Sequence, residues 1–425
     1  MTVTWMTVGA VTDTTAVVST KVTGSASVRV GVSTSAAFTS PTWSASTATS
    51  NNHAKVSLSG LTAGTRYWWR VEDNGVVDNT VTGQLRTAPA AAGSPASFTV
   101  GCIGDAGLVP TTPGVSGSAT SRLSNHSIFD TIRAKAVDED WLMVAHLGDL
   151  CYYDLGSGNH GLSASATLAQ YRSMLDDVLA QPRQHQLYRE VPWQWMWDDH
   201  DYGPNDSGAS APGRANALAM YRERVPSYTL AAGSGNPIYH SWQVGRVLFI
   251  SSDTRSDRAG STMLGSAQLA WLDTLLSTST AEALVWLMPT PWLGVGSDTW
   301  AGYTDERDDL VDMLTAGGWT DRMLMVNADA HTLAISSAAG NGAGGFPVLL
   351  CAGLDATPHS YSTQYDGGAW PGREQYATVQ VNDSGTDICL TATVYRRERA
   401  ISWVSATTGG TTRVPAGTPC HVLAL

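Results

Sequence analysis

Cysteine is scarce in this chain, with five residues among 425. So few thiols exclude the dense disulfide framework of a small secreted scaffold, and the odd number leaves at least one of them unpaired. Cys351, Cys389 and Cys420 could share one bridge, and the sequence does not decide the pairing. Cys102 and Cys151 lie instead in segments that carry other polar residues.

Long apolar runs are also missing. No run reaches the roughly 18 residues that a membrane-spanning helix requires. The first residues, Met-Thr-Val-Thr-Trp, have neither the charged n-region nor the apolar h-region of an export signal. We therefore expect no membrane span and no signal peptide in the sequence as given.

Positive charge is the third shortage, since 25 Lys and Arg stand against 37 Asp and Glu, for a net charge of −12. Proteins that hold nucleic-acid backbones along a broad surface need clustered Lys and Arg, so an extended nucleic-acid surface is excluded. A small phosphate ester remains compatible with this charge, because buried cations can reverse the local field.

The chain length predicts two or three domains of about 150 residues each. Residues 1–89 contain short alternating strands separated by Gly, Ser, Asn and Asp, which predicts a β-sandwich. Within it, the segment from Leu58 to Tyr67 resembles the E–F corner of fibronectin type III-like domains, where a Tyr begins strand F. Residues 90–97 have the small, Pro-punctuated composition of a linker, and residues 98–425 form the predicted second domain.

Strands alternate with helices in this second domain. Apolar runs at 98–102, 141–145, 193–197, 247–250, 284–288 and 323–326 predict strands, and helical spacing at 127–137, 167–179 and 264–276 predicts helices. Strands return after residue 377. The alternation indicates an α/β or layered α+β core.

Polar residues follow five of the predicted strands. The carboxyl ends of parallel strands line the functional crevice of such a sheet, so we expect these residues to converge. The clusters are Cys102 with Asp105, Asp149 with Tyr152, the run Asp198 to Asp201, Asp253 with Arg255, and Asp329 with His331.

Most of these residues also have an ordinary structural interpretation. An Asp after a strand is commonly a turn or a helix cap, a lone Cys a small core residue, and a Tyr a half-buried aromatic. The Asp-Asp-His-Asp run at 198–201 is different, because its carboxylates repel one another near a core unless cations or Arg compensate them. Carboxylates and a phenol are hard oxygen ligands, so the clusters favour metal chemistry.

Three ordered motifs carry a family resemblance. Gly-Asp-Leu-Cys-Tyr at 148–152, Asp-Asp-His-Asp at 198–201 and Asp-Ala-His at 329–331 are similar to those of metallophosphoesterases, and among them to PhoD-like alkaline phosphatases. That family resembles purple acid phosphatases in having a metal-bound Tyr. With the N-terminal sandwich, the resemblance spans nearly the whole chain, and it implies a four-layer α-β-β-α catalytic domain.

The resemblance also implies the metal ligands. It places an Fe3+ ion on the Tyr152 phenolate and on His331. It places a second ion on Asp199 and Asp329, with Asp149 bridging the two. Ca2+ is expected at the second site, with Mg2+, Mn2+ or Zn2+ as alternatives.

Three departures from the family pattern leave parts of the site open. The superfamily opens with Asp-x-His, but Gly107 stands where that His would be. The first ligand is therefore Asp105 or Cys102, which follows the strand where the family puts a thiolate. The ligand His before the last motif is also missing, since the sequence there is Met-Pro-Thr-Pro at 288–291, and an oxygen-rich site favours Ca2+ or Mg2+ over Zn2+. Ala328 replaces a usual Gly, which matters only if the backbone needs a positive φ.

The expected chemistry follows from charge. Two cations can hold a phosphate ester and generate a hydroxide for in-line attack. His200, which the resemblance places beside the phosphoryl group, is the candidate general acid or a stabiliser of the phosphoryl oxygens. Arg255 is a candidate phosphate clamp, with a salt bridge to Asp253 or Asp257 as its alternative, and Asn205 is a candidate substrate contact.

These features predict a metal-dependent phosphoric ester hydrolase that acts on small monoesters, diesters or both. A second hypothesis is a non-catalytic protein that binds a surface polymer through a decayed phosphoesterase domain, since two superfamily histidines are missing. A third is a mononuclear iron enzyme with a facial triad that includes His331. The resemblance implies an extracellular or periplasmic location, and the sequence leaves the oligomeric state open.

Overall fold

The computed structural model describes residues 3–107, 123–152, 154, 166–359 and 364–408. Short strands make up its N-terminal part. They are β1 (Val3–Gly9), β2 (Ala16–Val22), β3 (Ser27–Ser33), β4 (Thr42–Trp43), β5 (Thr47–Ala48), β6 (His53–Leu58), β7 (Arg66–Asp73), β8 (Val76–Val77) and β9 (Gly83–Arg86).

These strands form two sheets that enclose one core, as the sandwich prediction requires. One sheet has the order β1-β2-β6, and the other has the order β4-β3-β7-β8, with β5 paired to β3 and β9 to β7. Alternate residues of β7 point into the core, where Trp69 and Val71 are fully buried. The Tyr67 hydroxyl accepts a hydrogen bond of 2.9 Å from the backbone N–H of Thr62, which closes the corner between two strands.

The remainder of the described chain alternates strands and helices. The strands are β10 (Phe98–Ile103), β11 (Met143–Leu147), β12 (Trp193–Met196), β13 (His240–Val244), β14 (Val247–Ser251), β15 (Ala283–Leu287), β16 (Met323–Asn327), β17 (Thr332–Ser336), β18 (Val348–Cys351), β19 (Gly368–Pro371), β20 (Gln375–Asp383), β21 (Ile388–Arg396) and β22 (Arg399–Thr408). The helices are α1 (Ile128–Asp138), α2 (Leu168–Leu179), α3 (Pro182–Glu190), α4 (Asp199–Tyr202), α5 (Arg214–Arg224), α6 (Gly265–Thr278) and α7 (Thr304–Ala316).

Two sheets lie face to face at the centre of this domain. Their orders are β12-β11-β10-β20-β21-β22 and β13-β14-β15-β16-β18-β17-β19. Residues such as Leu147, Val326 and Ala377 fill the core between them. Helices α1, α2, α3 and α5 cover the outer face of the first sheet, and α6 and α7 cover that of the second. The predicted α-β-β-α layering is therefore confirmed.

The sandwich packs directly on the catalytic domain. Lys55 Nζ donates to the main-chain oxygens of Arg222 and Val225 at 2.7 and 3.1 Å. In the segment predicted as a linker, the backbone N–H of Ala96 donates to Asp383 of β20 at 3.1 Å. The domain limits at 89 and 98 stay predictions, although β9 ends and β10 begins close to them.

Two expectations drawn from composition concern membrane-spanning helices and the disulfide pairing of the cysteines. Among the helices of the described residues, none is long and apolar enough to span a membrane. Cys102, Cys151 and Cys351 carry unbridged thiols, whereas Cys389 is disulfide-bonded. Cys420 lies outside the described residues. Cys351 is therefore not part of a bridge.

Candidate metal centre

The candidate ligands lie just beyond the carboxyl ends of central strands. Asp105 follows β10, Asp149 follows β11, and Asp199 opens α4 directly after β12. Asp329 and His331 follow β16 of the other sheet. Because the two sheets are stacked, these strand ends meet, and ligands from four separate strands reach one site.

The backbone at these ligands is unusual. Asp105, Asp149, Asp329 and His331 all have positive φ, at 65°, 50°, 70° and 51°. A left-handed conformation is uncommon for residues with a side chain and is maintained only where the surrounding structure enforces it. Ala328 is not among the positive-φ residues, so the loss of the family's Gly there is harmless.

One group of ligand atoms gathers around His331. One ring nitrogen of His331 and one carboxylate oxygen from each of Asp105 and Asp149 lie within 4.8 Å of one another. The Tyr152 hydroxyl lies 2.7 Å from His331 Nε2, and Asp105 Oδ1 lies 3.4 Å from it. His331 Nδ1 donates to the Thr357 carbonyl at 2.9 Å, which leaves the Nε2 lone pair directed into the group.

Two further groups adjoin this one. Asp149, Asp199 and His200 form one, and Asp198, Asp199 and Asp329 form the other, again with ligand atoms within 4.8 Å. Asp149 is shared with the group around His331, so its carboxylate stands between two positions for a cation. The structure thus brings together seven of the residues predicted from sequence, namely Asp105, Asp149, Tyr152, Asp199, His200, Asp329 and His331.

The electrostatics fit bound cations. Among the described residues, the four buried carboxylate oxygens of Asp105 and Asp149 have no hydrogen-bond partner of acceptable geometry. Burial and the neighbouring carboxylates hold the pKa values of Asp105, Asp149 and Asp329 well above the ordinary value. Burial also lowers the pKa of His331 to about 4, which keeps its ring neutral and able to ligate. Carboxylate and phenol oxygens suit hard cations, and a neutral imidazole adds a nitrogen ligand.

Cys102 is placed away from this centre. It lies inside β10 with its side chain in the core between the sheets, and burial raises the pKa of its thiol to about 12. It belongs to no ligand group within the described residues, whereas Asp105 does. The physical reason is strand register: Asp105 lies beyond the strand end, where the chain turns toward the site. Asp105 is therefore the first-motif ligand that the geometry favours.

Arg255 does not have the geometry of a phosphate clamp. It is fully buried, with Nε on Asp198, Nη1 at 2.8 Å from Asp298 and Nη2 at 3.4 Å from the same carboxylate. Its salt-bridge partners thus differ from the predicted Asp253 and Asp257. An arginine engaged in this way compensates the acidic centre and keeps its carboxylates in place.

His200 is buried, with 7% of its surface exposed, and belongs to one of the ligand groups. Its Nδ1 is 2.7 Å from Asp154 Oδ1, and its ring centre is 4.4 Å from that of Tyr152. Burial alone would lower the pKa of His200, but the Asp154 carboxylate and the charge of Asp199 outweigh it and raise the pKa to about 9. Asn205 is exposed nearby, and its backbone N–H donates to Asp154 at 3.2 Å.

Other residues of the centre were not predicted from sequence. Asp298 pairs with Arg255 and, with Asp199 and Asp206, forms a fourth acidic group. His359 packs on His331 with ring centres 4.5 Å apart. Both lie in Gly- and Ser-rich or irregular segments without a motif, so only the tertiary structure could bring them to the site.

Two family models match this chain. The model for the PhoD-like phosphatase matches residues 115–344, more than half of the chain, and the model for the PhoD-like phosphatase N-terminal domain matches residues 6–89. The chain belongs to the PhoD-like phosphatase family. It is therefore a phosphatase-type hydrolase, which confirms the enzyme prediction.

Solved structures share the fold of this PhoD-like phosphatase. The structure of PhoD matches with a TM-score of 0.69 at 16% identity, over 94% of this chain and 92% of that one. Purple acid phosphatase PPD1 from yellow lupin (Lupinus luteus) seeds matches with a TM-score of 0.66 at 13% identity, over 99% of this chain and 77% of that one. No curated protein matches the chain. Family and ligand groups together make it a metal-dependent phosphoesterase.

Proposed function

We propose that this protein is an alkaline phosphomonoesterase with a dinuclear metal centre. The observation that carries the proposal is Asp149, a buried carboxylate that has no hydrogen bond of acceptable geometry among the described residues and belongs to two adjoining ligand groups. A carboxylate shared by two groups is the arrangement that a two-metal phosphoesterase needs. A mononuclear iron site would leave the Asp198, Asp199 and Asp329 group without a purpose.

The donor atoms support different ions at the two positions. Asp105, Asp149, Tyr152 and His331 would hold Fe3+, because a phenolate and carboxylates are hard ligands. Asp149, Asp199 and Asp329 would hold Ca2+, or alternatively Mg2+, Mn2+ or Zn2+. Bound cations would neutralise the phosphoryl oxygens and lower the pKa of water at the site.

The protein side chains then position the ester and move the proton. His200 has Nδ1 2.7 Å from Asp154 Oδ1, and its other ring nitrogen would face the leaving oxygen. The Asp154 carboxylate raises the pKa of His200, which favours the protonated imidazolium that a general acid needs. Asn205, exposed beside Asp154, stays a candidate substrate contact at the rim.

The substrate test compares two chromogenic esters on purified protein. Hydrolysis of p-nitrophenyl phosphate in the presence of Fe and Ca2+, several-fold faster than that of bis-p-nitrophenyl phosphate, is the expected result. A faster reaction with the diester would make the protein a phosphodiesterase instead. No metal-dependent turnover of either ester would refute the proposal.

The location is a separate proposal. The family resemblance favours an extracellular or periplasmic site of action, where free phosphate esters would be the substrates. Fractionation of the native host, with immunodetection of the protein in each compartment, tests it. Detection in the cytoplasm alone would refute this location.

A further inference from the structure

The segment that follows β18 is hydrogen-bonded to the candidate ligands Asp105 and His331. The backbone N–H of Ala356 donates to the Asp105 carbonyl at 3.2 Å. Next, the Thr357 carbonyl accepts from His331 Nδ1 at 2.9 Å, and the backbone N–H of His359 donates to the His331 carbonyl at 3.3 Å. The position of His359 is therefore set by the candidate metal ligands themselves.

The side chain of His359 is exposed and lies against a ligand without being one. Its ring centre is 4.5 Å from that of His331, with 33° between the ring planes. It belongs to none of the ligand groups found in the described residues. An exposed imidazole that packs on a ligand can offer an N–H to a molecule that reaches the ligand from solvent.

The arginines at the centre are already engaged. Arg255 faces Asp198 and Asp298, and Arg258 donates to Asp298, to the Tyr303 hydroxyl and to a main-chain oxygen. A phosphoryl group bound among carboxylates needs donors that these arginines do not provide. Within the described part of the centre, the imidazoles of His200 and His359 also lie beside the candidate ligands.

We propose that His359 is a substrate-contacting residue that donates an imidazole N–H to a non-bridging phosphoryl oxygen. The proposal rests on the proposed function and adds a residue to that site. A neutral imidazole already carries one N–H, so the contact does not depend on protonation.

The test measures phosphate binding separately from turnover. On the metal-loaded protein, calorimetry gives the dissociation constant of inorganic phosphate, and kinetics give KM for p-nitrophenyl phosphate. His359→Ala should raise both about 10-fold, as expected for the loss of a hydrogen bond to a charged oxygen. His359→Gln, which retains an N–H donor, should recover part of the loss. Metal content and Tm should stay at wild-type values in both variants.

Pro358→Ala serves as the control, because it alters the same exposed segment and keeps the imidazole. It should bind phosphate as the wild type does. Unchanged phosphate affinity in His359→Ala would overturn the proposal, and so would metal loss in that variant, which would make His359 a support for His331 only. If the wild type binds phosphate but hydrolyses no ester, the proposed function is refuted. The role of His359 in phosphate binding is then still tested by comparing the phosphate affinities of wild type and His359→Ala.

Discussion

Tyr152 lies between His200 and His331. Its hydroxyl is 2.7 Å from His331 Nε2, and its ring packs on that of His200. Burial and the charge of Asp149 raise the pKa of Tyr152 far above its ordinary value, so the phenolate forms only beside a bound cation. The motif spacing predicted Tyr152 as a candidate ligand, but its closeness to His331, 179 residues away, follows only from the sheet stacking.

Tyr152→Phe should abolish a visible charge-transfer band and weaken iron retention, because the variant lacks the phenolate oxygen. Absorption spectra and iron content of the purified variant provide the measurement. Tyr202→Phe is a matched control, since Tyr202 is also fully buried but its ring packs on Trp197. An unchanged spectrum in Tyr152→Phe would remove this residue from the metal shell.

His200→Ala should lower turnover by about 100-fold while metal content stays intact, as expected for the loss of a general acid. The loss should be larger for an alkyl phosphate than for p-nitrophenyl phosphate, because p-nitrophenolate leaves without a proton. Rates on both esters, with metal analysis, provide the measurement. Equal losses on both would make His200 a stabiliser of the phosphoryl oxygens, and metal loss would make it a ligand.

Asp154→Asn should shift the pH dependence of kcat/KM for an alkyl phosphate. The Asp154 carboxylate raises the pKa of His200, so its removal lowers that pKa below about 9. The acid is then deprotonated at lower pH, and the alkaline limb of the profile should move to lower pH. A profile identical to that of the wild type would show that Asp154 does not tune His200.

At the scale of elements, the turns after the strands decide where the ligands point. Gly148 has a φ of 94°, and a Cβ placed on it would lie 2.5 Å from the Cβ of Asp198. The turn after β11 therefore packs against the turn after β12. Asp201 joins the same two turns, since its carboxylate accepts from the backbone N–H groups of Leu150 and Asp198 at 2.9 and 3.2 Å.

Gly148→Ala should destabilise the protein by about 2 kcal/mol and weaken metal binding, since it adds both left-handed strain and a clash. Urea unfolding and metal titration provide the measurement. Gly235→Ala is the matched control: its φ is 80°, but no atom lies within 4 Å of the added Cβ. It should lose about 1 kcal/mol and no metal affinity. Equal effects of the two variants would contradict the close packing of the turns.

Part of the secondary structure was located from the sequence, but helices α3, α5 and α7 and strands β13, β17, β18 and β19 were not predicted. Helices α1, α2 and α6 lie close to their predicted ranges. Helices α3 and α7 were missed because each buries only three side chains. In α7, these are Glu306, Leu310 and Leu314 of its 13 residues. Asp149 could be located from the sequence because it follows a predicted strand. Asp298, the partner of Arg255, lies in a loop that no local sequence pattern predicts.

At the scale of the whole molecule, a buried polar interface joins the sandwich to the catalytic domain. His53 Nε2 lies 2.8 Å from Ser19 Oγ, whose hydroxyl donates to the main-chain oxygen of Arg224. Burial, together with nearby positive charges, lowers the pKa of His53 to about 3. The fold thus holds His53 neutral between the two domains.

This interface predicts a pH dependence of stability. Unfolded His53 takes up a proton near its ordinary pKa of 6.5, whereas the folded residue does so only near 3. The free energy of unfolding should therefore fall as pH drops below 6.5, by about 1.4 kcal/mol per pH unit from this residue. Urea unfolding at pH 7.5 and 5.5 measures it, and His53→Gln should reduce the loss. An identical loss in the variant would contradict this origin.

Metal content measured together with activity tests the dinuclear centre most directly. We predict at least two ions per chain in the active protein, one of them iron. Chelation should abolish hydrolysis of p-nitrophenyl phosphate, and Fe and Ca2+ added together, but neither alone, should restore it. Full activity with a single ion per chain, or without any, would contradict the account.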